Sequence, residues 1–256
     1  MQESTDAPQS ARNRTGQQTS PELSEEMNDI VQSVRPEVAE PSAVMEERLQ
    51  QIREADPLGS VPPPAKATGG ARSAAKMTKG EGFSAFIDKL AERLAYERGG
   101  TRLYDAVLAK ATAHQNELEG TELPDLREIR EEEAGHAGLL RTCLEQVGAD
   151  ATAQTPSADL VGVMSAGFLQ AASDPRTTLA QTLQAALAAE LIDVASWETL
   201  IALAENIGQA EMATRFGEAL QRENEHLVKV RKLYERMTLS SGVAPQPKRK
   251  AKQKSH

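Results

Sequence analysis

The chain has 256 residues, a formal net charge of −9, an aromatic content of 3% and one cysteine, Cys143. A single cysteine excludes an intramolecular disulfide and any four-thiolate rubredoxin or zinc-ribbon centre, and the acidic balance argues against nucleic-acid binding across the general surface. The opening MQESTDAPQSARNRTG has no basic segment followed by an apolar one, and no stretch offers about 18 uninterrupted apolar residues, so the expectation is a soluble, cytoplasmic protein that does not enter a membrane.

Residues 1–78 are rich in Pro, Ser, Gln, Glu and Ala and carry few large apolar side chains to offset the entropy of ordering, which predicts a disordered N-terminal region ending in a small, Gly-rich linker. Two segments within it, 22–34 and 43–55, hold enough Leu, Ile, Val and Met for transient or partner-induced helices. Pro36, Pro57 and the triplet Pro62, Pro63 and Pro64 break the chain around them. At the other end, residues 241–256 form a basic tail with Lys248, Arg249, Lys250, Lys252 and Lys254, read as a solubilising disordered end and the one local exception to the argument against nucleic acid.

Between these tails, residues 79–240 carry four apolar stripes at helical spacing. The first runs through Phe86, Leu90, Leu94, Glu97, Thr101, Tyr104 and Leu108; the second, begun near Pro124, through Leu126, Ile129, Glu133, His136, Leu140 and Leu144 to an end at Gly148. A short apolar helix is expected around 160–172. Asp174-Pro175 is read as the start of the next long helix, with a stripe through Leu179, Leu183, Leu187, Glu190, Val194, Trp197 and Ile201 closed by Gly208. The last stripe follows Phe216, Leu220, Glu223, His226, Val230 and Tyr234. No alternation of period two competes with these, so the fold class is all-α, a four-helix bundle. Cys143 lies in an apolar helical stretch and is expected to be a buried thiol.

Each stripe is interrupted in its middle by acid, although a buried, unpaired carboxylate is costly. Glu97 precedes Glu133-x-x-His136 by 36 residues, and Glu190 precedes Glu223-x-x-His226 by 33. Superposing Glu97 on Glu190 also brings Leu90, Leu94, Tyr104 and Leu108 onto Leu183, Leu187, Trp197 and Ile201, so the chain repeats one helical pair. Glu and His three residues apart share a helical face and can reach one metal ion, while the lone Glu of the neighbouring helix bridges or chelates from across the bundle. Four carboxylates and two neutral imidazoles balance two divalent cations. This donor set suits iron, with manganese as the alternative, better than zinc. Without metal, repulsion and desolvation are expected to raise all four carboxylate pKa values.

Tyr104 and Trp197 lie two turns after Glu97 and Glu190, where an oxidisable ring could pass electrons; packing is the simpler role. Asp193, three residues after Glu190, is a candidate to orient a histidine ring or else to face solvent. His114 and His256 fit no stripe and are expected to be solvated.

Glu97, Glu133-x-x-His136, Glu190 and Glu223-x-x-His226 resemble the ligand set of the ferritin-like superfamily, in particular its rubrerythrin and bacterioferritin branch. The resemblance covers about 155 residues and neither tail. It implies an antiparallel bundle with a long crossover between the second and third helices, two iron ions, and reaction of ferrous iron with O2 or peroxide. It also implies a homodimer or a larger homo-oligomer. The missing Cys-x-x-Cys pairs remove the rubredoxin domain that feeds electrons to typical rubrerythrins, so any electron donor is external and of unknown kind. Peroxidase or manganese catalase activity on the same ligands, and a metal-stabilised interaction module, are the rival expectations.

Overall fold

The computed structural model describes residues 21–33, 41–62 and 81–241. The predicted linker at 65–80, the basic tail and His256 lie outside these residues, as does most of the extreme N-terminus. By contact the chain divides into two units, 1–56 and 57–256. In the first, helices α1 (Pro21–Ser33) and α2 (Pro41–Glu54) fall on the two segments singled out for their apolar content. They leave Leu23, Met27, Ile30, Val31, Val44, Met45, Leu49 and Ile52 exposed.

The second unit consists of α3 (Glu81–Ala113), α4 (Glu122–Gln146), α5 (Pro156–Ser173), α6 (Leu179–Asn206) and α7 (Ala210–Ser241), with no strand among the described residues. Ion pairs set the directions of the helices. Arg93 reaches Asp193 while the hydroxyl of Tyr96 donates to the carbonyl of Ala189, so α3 and α6 run antiparallel. Glu122 pairs with Arg236, Glu128 with Lys229 and Glu132 with His226, so α4 and α7 do too. Short loops make α3–α4 and α6–α7 antiparallel hairpins, which leaves α4 and α6 parallel. Their connection must therefore travel the length of the bundle, and α5, packed on α3 and α6, makes that crossover.

Local chemistry places the helix ends. Gly148 and Gly208 take φ of 80° and 76°, and in both the amide of the next residue bonds back across the last turn, Ala149 to Leu144 and Gln209 to Ala204. The left-handed glycine satisfies carbonyls that the helix leaves over. The third long helix starts four residues later than Asp174-Pro175 suggests. Thr178 and Gln181 form a reciprocal capping box ahead of Leu179, while Asp174 caps the end of α5 and binds Arg176. A box that satisfies two amides at once outcompetes a lone aspartate.

The core forms two clusters with the acids between them. Tyr104, Val107, Leu126, Ile129, Leu183, Val230 and Leu233 lie on one side; Phe86, Leu90, Leu94, Leu140, Leu144, Trp197, Leu200 and Phe216 lie on the other, where Val61 also packs. Cys143 is buried in the second cluster, and burial pushes its thiol pKa up. No described helix is long and apolar enough to cross a membrane.

Candidate metal centre

Glu97, Glu133, His136, Glu190, Glu223 and His226 come from four different helices, and none is more than 8% exposed. They form overlapping groups in which one donor atom from each residue lies within 4.8 Å of the others. One group is Glu133, Glu190, Glu223 and His226; another is Glu97, His136 and Glu223; a third is Glu97, Glu133, Asp193 and Glu223. The sequence stripes bring all six together because the acids sit at mid-helix, where antiparallel helices cross at the same height.

Hydrogen bonds aim these side chains. His226 turns Nδ1 toward Glu223, at 3.1 Å, with Glu133 and Glu190 at 3.6 and 3.8 Å, while its Nε2 bonds to Glu132 at 2.7 Å. His136 places Nδ1 2.5 Å from Glu223 and 3.8 Å from Glu97, without hydrogen-bonding geometry to either. The hydroxyl of Tyr104 donates to Glu190. Arg93, wholly buried, donates from Nη2 to Glu97 at 2.5 Å and also to Asp193. Its guanidinium lies 4.6 Å from the Tyr96 ring centre and 5.4 Å from that of Trp197.

These arrangements decide the minor candidates. Tyr104 and Trp197 are both buried and both touch the site, Tyr104 through its hydroxyl and Trp197 by an edge-on contact with His136. Asp193 is buried rather than solvent-facing, and the group it contacts is the guanidinium of Arg93 instead of a histidine ring. An arginine one turn before Glu97 supplies full charge compensation, which an imidazole would give only when protonated. His114 is partly exposed and bonds to Glu117.

The protonation pattern of the metal-free site departs from a uniform rise. Burial and repulsion from Glu223 push Glu190 up to about 8. Burial likewise raises Glu97 despite Arg93, and raises Glu133 well above the carboxylate range with help from Glu97. Glu223 goes the other way, to about 2, because the adjacent imidazoles of His136, 2.5 Å away, and His226, hydrogen-bonded to it, together overcome its burial. Burial would lower His226, but Glu133, Glu223 and Glu190 together raise it to about 11. One carboxylate facing two imidazoles takes the charge, and the other three carry the repulsion.

The residues present fit a bound metal. One oxygen each of Glu97, Glu133, Glu190 and Glu223, and Nδ1 of His136, are buried with no hydrogen-bond partner. Buried acceptors are left unpaired rarely, and the five residues that carry these share the overlapping donor groups above.

Residues 83–241 match the family described as Domain of unknown function (DUF892). The chain belongs to that family. DUF892 falls within the ferritin-like superfamily, in agreement with the bundle and its crossover. The DUF892 region starts and ends with the bundle helices, so α1 and α2 lie outside it. No curated protein matches the chain.

Three features of this DUF892 site lie outside the four sequence stripes. Arg93 was legible as a residue one turn before Glu97. Glu132, beside Glu133, carried no signal of its own in a run of three glutamates. Gly100 admits Glu133 to the backbone of α3, since a Cβ there would collide with its carboxylate. The repeat itself held a clue: superposing Glu97 on Glu190 puts Arg93 on Ala186 and Gly100 on Asp193, two mismatches that face the site.

Proposed function

We propose that this bundle is a di-iron oxidoreductase of the ferritin-like type, related in its ligand set to rubrerythrins and bacterioferritins, that oxidises ferrous iron with O2 or peroxide. The observation that carries this reading is that five residues from four helices, each with an unpartnered buried donor atom, belong to overlapping groups able to hold a metal ion. Uncompensated carboxylates at such density would cost the fold several kcal/mol, and bound cations remove that cost.

Glu97, Glu133 and His136, with Glu190, Glu223 and His226, would hold the two ions. When bound, the metal pair supplies the redox chemistry, with ferrous iron giving electrons to the oxidant. The protein's part is positional. Glu132 keeps a proton on Nε2 of His226 and so leaves the Nδ1 lone pair free to ligate a metal ion held by the carboxylates. Tyr104 holds Glu190 by its hydroxyl, and burial beside Glu190 keeps that phenol protonated, its pKa raised well above the usual value. The two apolar clusters keep water from the donors. Tyr104 and Trp197 touch a ligand each, which suits them to carry electrons from an external donor.

The test begins with metal content. Apo protein reconstituted anaerobically with ferrous iron should hold two ions per chain, and Glu133→Ala and His226→Ala should each lower that number. A wild-type chain holding one ion or none overturns the reading. The ferrous protein is then mixed with O2 or peroxide while oxidant consumption and near-ultraviolet absorbance are followed. Metal retention with neither change would leave a metal-stabilised interaction module in place of the enzyme.

A further inference from the structure

The internal repeat makes Glu97 and Glu190 equivalent in sequence, yet the structure gives them unlike partners. Glu190 accepts a hydrogen bond from a neutral phenol, Tyr104. Glu97 accepts one from a cation, Arg93, at 2.5 Å. The repeat counterpart of Arg93 is Ala186, so no guanidinium stands beside Glu190 as Arg93 stands beside Glu97. The donor groups are unequal as well: Glu133, Glu190, Glu223 and His226 converge on one side, whereas on the other Glu97 and Glu223 converge with His136 in one group and with Glu133 and Asp193 in another, where Asp193 is already bound to Arg93.

We infer that the two metal positions are inequivalent, with the ion beside Glu190 and His226 held tightly and the ion beside Glu97 and His136 held weakly because Arg93 acts through Glu97. The inference rests on the metal-binding reading above. Its physical basis is competition. A guanidinium on a carboxylate oxygen occupies one of its acceptor directions and places a positive charge next to any cation that the same carboxylate would bind. A charged neighbour at such range moves a carboxylate's affinity for a proton by about 10- to 1,000-fold, and a divalent ion feels the charge at least as strongly. Asp193 accepts from the same Nη2 of Arg93 that Glu97 does, so the guanidinium cannot swing away without leaving a second buried carboxylate unpaired. The weak position is also the more open one. His136 reaches a surface pocket lined by Arg215, Glu218 and Arg222, while His226 is fully buried.

The experiment titrates full-length apo protein with Mn2+, which binds carboxylate and imidazole without oxidation, by calorimetry and by electron paramagnetic resonance. Wild type should bind in two steps separated by about tenfold or more. At one equivalent it should give the six-line spectrum of isolated Mn2+, and only the second equivalent should produce a coupled pair. Glu190→Gln should abolish the tight step, and Glu97→Gln should weaken the second while sparing the first. Arg93→Met should tighten the second step by about tenfold, whereas Arg93→Lys, which keeps a cation beside Glu97, should preserve the gap. Should Arg93→Met fold poorly around the unpaired Asp193, the double variant Arg93→Met/Asp193→Asn carries the same expectation without that charge. Two equal wild-type steps, or a gap that survives loss of Arg93, overturn the inference while leaving the metal centre intact. Failure to bind Mn2+ at all overturns both.

Discussion

Glu132 accepts a hydrogen bond from Nε2 of His226, 2.7 Å away, across the α4–α7 interface. Its repeat counterpart is Arg222, which cannot accept anything, so the repeat provides no equivalent of Glu132 for His136. Glu132→Gln should keep the ring in place but weaken its polarisation, and Glu132→Ala should free it. Metal affinity is expected to fall by about 10- to 100-fold in the alanine variant and by less in the glutamine variant. Competition with a chelator reads both, and equal affinity in wild type and Glu132→Ala would show that this hydrogen bond does not orient the ligand.

Gly100 sets two effects against each other. Alanine in a helix interior is better than glycine by about 0.5–1 kcal/mol, so Gly100→Ala ought to stabilise α3 if nothing else changed. Its Cβ would meet the Glu133 carboxylate, however, and push that ligand out of the site. Circular dichroism should find helicity preserved while metal analysis finds occupancy reduced. Undiminished metal binding would mean that Glu133 reaches its position by another rotamer.

The pH dependence of the metal-free protein follows from the shifted groups. Glu190, raised from 4.5 to about 8, binds a proton in the folded state that the unfolded chain releases, so stability falls as pH rises through that window. Glu97 and Glu133 act in the same direction. The contribution of His226, raised from 6.5 to about 11, is whole below 6.5 and is lost as pH climbs toward 11. Glu223 opposes these only in acid: its stabilisation is present above 4.5 and disappears as pH falls through about 2. Apo protein should therefore be less stable at pH 8 than at pH 5.5. Mn2+-loaded protein should show the reverse trend, because metal binds the deprotonated ligands. Denaturant unfolding at both pH values checks the crossing, and parallel curves would argue that metal does not displace these protons.

Val61 packs against the core cluster around Phe86, which places the edge of the folded unit before the Gly-rich linker. A chain beginning at Pro57 should unfold at the same temperature as the full protein. One beginning at Gly80 should lose about 1 kcal/mol with the loss of that side chain from the core. If removal of residues 1–56 alone lowers the midpoint, α1 or α2 contributes to the stability of the bundle.

The sequence by itself determined the helices and the six acids and histidines that meet in the middle of the bundle, because a buried acid at mid-stripe violates the usual rule and two copies of the same violation are hard to obtain otherwise. It also located the closing glycines at 148 and 208, whose left-handed backbone is a local property. The start of α6 was misread because a capping box and an Asp-Pro turn stand four residues apart and only their relative energies choose between them. Only the tertiary structure decided how the repeat is broken. That Arg93 of α3 meets Asp193 of α6, that Glu132 reaches His226, and that Glu223 faces both histidines while Glu133 joins Glu190 in one group and Glu97 in another are facts of helix rotation and depth. Periodicity assigns a residue to a face, but the partner it finds there depends on how two helices are turned and offset by a few ångströms, and charge interactions change most steeply over those distances.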